Sequence, residues 1–381
     1  MHTRICDMFG IEFPIFAFSH CRDVVAAVSR AGGFGVLGAL AFSTEQLELE
    51  LSWIDDNVDG KPYGVDTVIP AKYVGRDEGD LNRDQLGKLI PEGHKKFLEE
   101  LLEEYDVPEL SEAAERPREE GIAGGMLGWS VSGGRAAVEV ALKHPIKLLA
   151  NALGPPPEDV IKMAHSQGVL MAALVGRASQ AVKQKEAGVD VIVASGYEAG
   201  GHTGEVTSLV LTPEVVDAVA PTPVLAAGGI GSGRQIAAAL ALGAEGVWTG
   251  SIWLTVSESN TGSGMMERLM QATSSDTIRS RSLSGKPARQ LKTKYIEAWE
   301  DPKNPDPLPM PLQMLLCAPY TARIGRAART PGSKAEELTG TPVGQIVGQM
   351  NQVQSSHQLI YQLVEEYVDA ATRVHDLMSR D

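Results

Sequence analysis

Residues 222–251 read "TPVLAAGGIGSGRQIAAALALGAEGVWTGS". Two short apolar runs, "TPVLAAGG" (222–229) and "EGVWTGSIW" (245–253), flank an amphipathic run, "GRQIAAALALG" (233–243), that stops at a glycine. Apolar runs of this length fit strands covered on both faces, and a helix-length segment between two of them is what a parallel connection needs. The unit is therefore strand, helix, strand. Working outward, the same rhythm recurs. "FPIFAF" (13–18) precedes "DVVAAVSRAGG" (23–33), and "FGVLGAL" (34–40) precedes "STEQLELELSWI" (43–54). "PYGVDTVIP" (62–70), "IKLLANAL" (146–153), "GVLMAALVG" (168–176) and "VDVIVASG" (189–196) complete eight candidate strands. Helix-like segments such as "EDVIKMAHSQ" (158–167) and "ASQAVKQKEAG" (178–188) follow most of them. Eight such units predict an α/β fold, a closed (β/α)8 or TIM barrel, with an open doubly wound sheet as the alternative.

Two stretches break the rhythm. Residues 71–129 form a charged insertion after the third strand, where Phe97, Leu98, Leu101, Leu102 and Tyr105 are spaced like one face of a helix. It belongs at the barrel end where active sites of this fold lie. After Ser274, "DPKNPDPLPMP" (301–311) is expected to be irregular, because its prolines fix φ and remove backbone donors. Beyond it Val343, Ile346, Val347 and Met350, then Leu359, Ile360, Leu363, Val364, Tyr367, Val368 and Ala371, carry a helical stripe. The expected organisation is a barrel over 1–274 and a partly helical extension over 275–381 that packs on it.

Composition narrows the function classes. With 381 residues, 43% of them hydrophobic, the chain has material for a large core. No apolar run reaches the roughly eighteen residues of a membrane helix, and the opening "MHTRICDMFG" lacks a secretory pattern, so a soluble cytoplasmic protein without a membrane partner is expected. A net charge of −15 disfavours nucleic acid, whose binding rests on cationic side chains. Part of that charge is local: ten acidic residues lie between Glu99 and Glu120 against Arg116 and Arg118, the mark of a solvated surface. Cys6, Cys21 and Cys317 are scattered without CxxC spacing, which predicts reduced thiols and no zinc site.

The loops after the strands carry the candidate chemistry. "ASGYEAGGHTGEV" (194–206) leaves the sixth strand, turns through Gly200 and Gly201, and presents His202 at the mouth. A histidine there suits a general base or hydrogen-bond donor over a substrate, against a plain loop histidine tied to a carbonyl. Glu198 and Glu205 make no recognised metal-ligand spacing with it, and no metal is expected. Gly228, Gly229, Gly231 and Gly233 follow the seventh strand, and Gly250 with Ser251 follows the eighth. Bare backbone N–H groups at such turns bind phosphate, and these two loops form the usual phosphate site of the fold. The competing reading is a tight connection in which glycine supplies positive φ. No acidic residue is placed as a dinucleotide fingerprint requires, so a Rossmann nicotinamide site is not expected.

"SGYEAGGHTG", "AAGGIGSGRQIAAALALGAEGVWTGS" and "GIEFPIFAF…AAVSRAGGFGVLGA" together resemble the nitronate monooxygenases, FMN-binding TIM barrels formerly called 2-nitropropane dioxygenases. The resemblance runs in order from about Ile11 to Ser251 outside the insertion, and touches "LSGKPARQLKTKY" (283–295) beyond the barrel. It implies FMN in the mouth, with its phosphate on Gly228, Gly229, Gly250 and Ser251, Gly200 and Gly201 shaping the loop beside it, and Thr249 a further cofactor-binding candidate. It also places His202 on the catalytic histidine, which takes a proton from the carbon beside the nitro group or orients a nitronate already deprotonated.

Three departures accompany the resemblance. The family's "APM" after the first strand is "FAFSHC" here, which brings His20 to the mouth. The asparagine common at the end of the third strand is replaced by Asp66, and a glutamine before the "EAGG" motif by Ser195. Asn151, ending the fourth strand, is a further candidate for the cofactor. The expected activity is FMN-dependent oxidation of a small-molecule alkyl nitronate by molecular oxygen. The alternatives are an NAD(P)H-dependent quinone or enoyl-thioester reductase on the same scaffold, and a non-catalytic phospholigand-binding barrel. A homo-oligomer is left open.

Overall fold

The structure is a computed structural model that describes residues 1–69, 74, 83–109 and 131–378. In chain order the strands are β1 (Ile15–Ser19), β2 (Phe34–Gly38), β3 (Tyr63–Thr67), β4 (Leu148–Asn151), β5 (Leu170–Val175) and β6 (Val191–Ser195). They continue as β7 (Gly201–His202), β8 (Val224–Ala227), β9 (Gly246–Thr249), β10 (Thr277–Ser280) and β11 (Ala288–Leu291). Eight of them, β1 to β6 with β8 and β9, close into a parallel barrel in sequence order. Closure is made by β1, which pairs with β2 through Phe16 and Phe34 and with β9 through Ile15 and Val247. The (β/α)8 expectation holds.

Side chains alternate across each strand. Phe16, Phe34, Val36, Leu148, Ala172, Val193, Leu225 and Trp248 fill the barrel, while Leu37, Val65, Leu149, Met171 and Ile192 pack outward against the helices. The N-terminal helix Arg4–Phe9 plugs the end where the strands begin. Its Phe9 ring lies edge-on to Phe16 and Phe34, at 5.3 and 5.0 Å. Full burial of each such ring contributes about 1.5–3 kcal/mol, so this end is a packed floor and the opposite end is the mouth.

The segments outside the rhythm build a second, smaller core. The insertion helix Glu92–Glu104 buries Phe97, Leu98, Leu101 and Leu102 against Tyr295 and Trp299 of the helix Lys294–Glu300, and against Leu312, Leu316 and Tyr320 of the helix Leu312–Ala327. Phe97 and Trp299 meet edge to face at 4.9 Å. The other parts of the expected insertion, 71–73, 75–82 and 110–129, lie outside the described residues. The proline-rich 301–311 has no helix or strand.

The expected tail stripe divides into two structures. Its second part is the helix Ser356–Met378, which packs on the helix Gly233–Ala241, so closely that a Cβ on Gly233 would lie 2.2 Å from Tyr367 N. That helix buries Leu359, Ile360 and Leu363, but Val368 is 51% exposed. The first part is a 3-10 turn, Gln345–Gln349, rather than an α-helix. Gly344 lies against the backbone of the sixth-strand loop and donates its N–H to Ser251 Oγ at 2.9 Å, while its carbonyl accepts from Val347 N at 3.1 Å, the i→i+3 bond of the 3-10 turn.

Candidate active site

The loop from β6 to the helix Ser208–Val219 carries His202, and its two glycines answer to different constraints. Gly201 takes φ +74° with open space around it, a conformation an L side chain rarely adopts. Gly200 is set by proximity: a Cβ there would lie 2.8 Å from Gly344 N. His202 follows in β7, which pairs antiparallel with β11 through His202 and Ala288 and through Gly201 and Arg289. This pairing brings His202 to Ser284, a fully buried residue whose Oγ shares a 2.6 Å hydrogen bond with Nε2. Enclosure of the ring and, second to it, the ammonium of Lys286 push the His202 pKa down to about 4. Lys286 is itself half-buried, and burial lowers its own pKa.

Neighbours on several sides hold the same loop. Glu198 accepts from Ser208 N at 3.2 and 3.1 Å, an acidic cap on a helix N-terminus. Arg289, only 2% exposed, donates twice to Tyr197 O at 3.2 Å and lies 4.6 Å over the Tyr197 ring. Arg279 donates to Thr203 Oγ1 at 3.1 Å, and Gln345 N donates to Glu198 O at 3.0 Å.

Gly228 and Gly229 follow β8 with φ +103° and +66°. Their Cβ positions would each lie 2.8 Å from the protein, at Ser208 Oγ and Glu198 Cγ respectively. The tight-turn reading therefore accounts for these two glycines by itself, and it is compatible with backbone donors facing a ligand. Gly250 differs: the nearest atom to a Cβ there is Phe18 Cδ1 at 4.0 Å, so the backbone faces open space. At Gly233 the protein supplies its own anion, because Glu366 Oε2 accepts from Gly233 N at 2.8 Å. The phosphate donors expected from that helix end reduce to the turns at Gly228, Gly229, Gly250 and Ser251.

The remaining candidates divide by strand alternation. Asp66 and Ser195 face the barrel interior, Asp66 in register with Ala150 and Ser195 with Ala227. Asp66 is buried, burial raises its pKa to about 7, and its Oδ1 has no hydrogen-bond partner among the described residues. The His20 ring is exposed at the end of β1, and its Nδ1 donates to Gly38 O at 2.9 Å. Asn151 and Thr249 point the other way, and here the expectation needs correcting. Asn151 Oδ1 accepts from Ile69 N at 2.7 Å and Nδ2 donates to Gly154 O at 2.8 Å. Thr249 Oγ1 donates to Phe16 O and accepts from Trp253 Nε1, both at 2.9 Å. Both side chains are engaged in holding loops and strands, which leaves the cofactor no side-chain group from either. Sequence reasoning passed over Ser284 and Lys286 as site residues, although "LSGKPARQLKTKY" stood out as a segment.

Among the described residues no cluster of histidine, cysteine or acidic side chains could hold a metal ion, and no helix is long and apolar enough to cross a membrane. A sequence model of the nitronate monooxygenase family matches residues 2–366. The chain is 53% identical over 380 residues to a candidate monooxygenase of Mycobacterium tuberculosis, covering 100% of both chains. It is 30% identical over 359 residues to a candidate nitronate monooxygenase of Staphylococcus aureus, covering 90% of this chain and 91% of the relative. Among solved structures, nitroalkane oxidase of Streptomyces ansochromogenes matches with TM-score 0.77 at 25% identity, over 97% of this chain and 99% of that one. FabK of Thermotoga maritima matches with TM-score 0.71 at 24% identity over 99% of each chain, a likeness of fold. Barrel, mouth and relatives define an oxidoreductase built on a (β/α)8 scaffold. The chain belongs to the nitronate monooxygenase family.

Proposed function

We propose that this oxidoreductase binds FMN at the barrel mouth and oxidises small alkyl nitronates, of the propionate 3-nitronate type, with molecular oxygen. The residues present fit that group. Gly250 leaves its backbone open, the turn at Gly228 and Gly229 stands beside it on the neighbouring strand, and the inner wall offers an unpartnered carboxyl at Asp66. In this reading Gly228, Gly229, Gly250 and Ser251 hold the phosphate. Bound FMN supplies the electron transfer between nitronate and oxygen.

The observation that carries the choice of substrate is a neutral His202 beside the Lys286 cation. With its pKa near 4, His202 is uncharged at neutral pH but is too weak a base to draw a proton from carbon efficiently, since general bases work best with a pKa near the operating pH. A neutral imidazole fixed by Ser284 is suited instead to orienting a substrate that arrives already deprotonated. The Lys286 ammonium favours such an anion by simple attraction. Both features select the nitronate over its neutral nitroalkane parent.

Anaerobic mixing tests the assignment. Propionate 3-nitronate is expected to bleach the yellow flavin absorbance without any nicotinamide. Bleaching by NADH or NADPH and not by nitronate overturns the substrate and installs the reductase alternative. A colourless protein that takes up no added FMN overturns the cofactor.

A further inference from the structure

Asp66 is the next-to-last residue of β3, and alternation turns it inward together with Gly64. At its height the neighbouring strands present almost nothing. Asp66 is in register with Gly38 on β2 and with Ala150 on β4, and Ala150 with Ala172 on β5. From β2 round to β5 the strands themselves present hydrogen, carboxyl, methyl and methyl at this level, and the His20 ring covers Gly38, where a Cβ would lie 2.6 Å from its Nδ1 and Cε1. Among the side chains of these four strands at this height, the carboxyl is therefore the one able to hydrogen-bond inward. Asp66 is 5% exposed, and its Oδ1 is buried without a partner among the described residues. Leaving a buried carboxylate in that condition is expensive, and holding a proton is the cheaper state. Burial alone accounts for its raised pKa, with no charged neighbour contributing. The titratable group at the neighbouring strand end is His20, whose Nδ1 is tied to Gly38 O. Neither β4 nor β5 turns a titratable side chain inward at this height.

We propose that Asp66 is the proton-holding wall of the cofactor site: in its protonated form it donates a hydrogen bond to the bound flavin ring, and its ionisation makes electron uptake by that ring depend on pH. This rests on the FMN reading above. The physical step is local. A protonated carboxyl has one O–H to give, whereas an ionised one only accepts and sets a negative charge against a ring that is about to gain negative charge. Above the carboxyl's pKa, two electrons from the reductant must therefore be accompanied by one additional proton, taken from solvent onto Asp66. Below it, that proton is already in place and no extra one is bound.

The test is the midpoint potential of the FMN-loaded protein, reduced by dithionite against an indicator dye from about pH 5.5 to about pH 8.5, for the wild type and Asp66→Asn. Asparagine keeps a donor and cannot ionise. Above about pH 7 the wild-type potential is expected to fall more steeply than the variant's. The extra slope is a tenfold shift of the oxidised–reduced equilibrium per pH unit, about 30 mV for a two-electron couple. Parallel lines in two flavin-loaded proteins overturn the proposal and leave the FMN assignment standing. A protein that binds no FMN removes both. Should Asp66→Asn fail to fold, the wild-type curve alone decides, because a slope that steepens above about pH 7 supports the proposal and one that stays straight or becomes shallower overturns it.

Discussion

His202 and Asp66 stand at the mouth of one barrel, after strands β6 and β3, and the protein treats them in opposite ways. His202 shares a short bond with Ser284, and its loop is held through Arg279, Arg289 and Gln345. Asp66 is in register with glycine and alanine, with one carboxyl oxygen left unpaired among the described residues. Both pKa values are displaced toward the neutral form, down for the base and up for the acid. A dry mouth produces that pattern, because burial penalises charge of either sign. The difference between the two sites is one of completeness. The imidazole has its protein partner already, whereas the carboxyl's hydrogen-bonding capacity is still unmatched, which is the condition of a group that meets a ligand.

The largest effect that could break this contrast is at His202. His202→Ala should lose about 10²-fold in turnover, the cost of a misplaced substrate, while still binding FMN, as read from steady-state rates and the flavin spectrum. Full turnover in that variant removes the imidazole from the chemistry.

Next in size is stability, where the two residues act in opposite directions over overlapping pH intervals. His202 has a folded pKa of about 4 against an ordinary value of 6.5. The unfolded chain therefore gains a proton that the folded one refuses as pH falls through that interval, and stability drops toward acid. Asp66 has a folded pKa of about 7 against 3.8. The folded chain keeps a proton that the unfolded one releases, so stability drops as pH rises through that interval. Urea unfolding at pH 8 should find Asp66→Asn about 1–3 kcal/mol more stable than the wild type, with the advantage vanishing near pH 4. An advantage independent of pH would mean that ionisation of Asp66 is not its source.

The smallest effect sharpens the contrast from the fixed side. Ser284→Ala removes the 2.6 Å partner of His202 and should lower kcat about fivefold, in keeping with one hydrogen bond of about 1 kcal/mol, with flavin binding unchanged. An unchanged kcat would show that the β7–β11 pairing alone aims the ring.

The barrel was legible because each βα unit carries its signal within some thirty residues, and His202 because the glycines that expose it are its immediate neighbours. Its partners were not legible. Ser284 lies 82 positions further along and arrives through a two-residue strand too short to leave a pattern. The second core joins Phe97 to Trp299, and the helix Leu312–Ala327 contains Pro319, a residue that argues against a helix wherever local pattern is the guide. Asn151 and Thr249 show a finer limit. Strand alternation has a period of two, so naming the end of a strand without its register leaves open which of two adjacent residues faces the ligand. Asp66 was visible as a departure from a relative's asparagine, but its isolation depends on Gly38, Ala150 and Ala172, which come from three other strands.

The crossbar formed by Val343, Gly344 and Gln345 has a consequence for biosynthesis. Gly344 N is bonded to Ser251 on one side of the mouth and Gln345 N to Glu198 on the other, so the bracing of the pocket comes from a segment translated well after the last barrel strand. During synthesis the barrel strands therefore emerge before their brace, and a chain cut before Val343 is expected to lack both bonds.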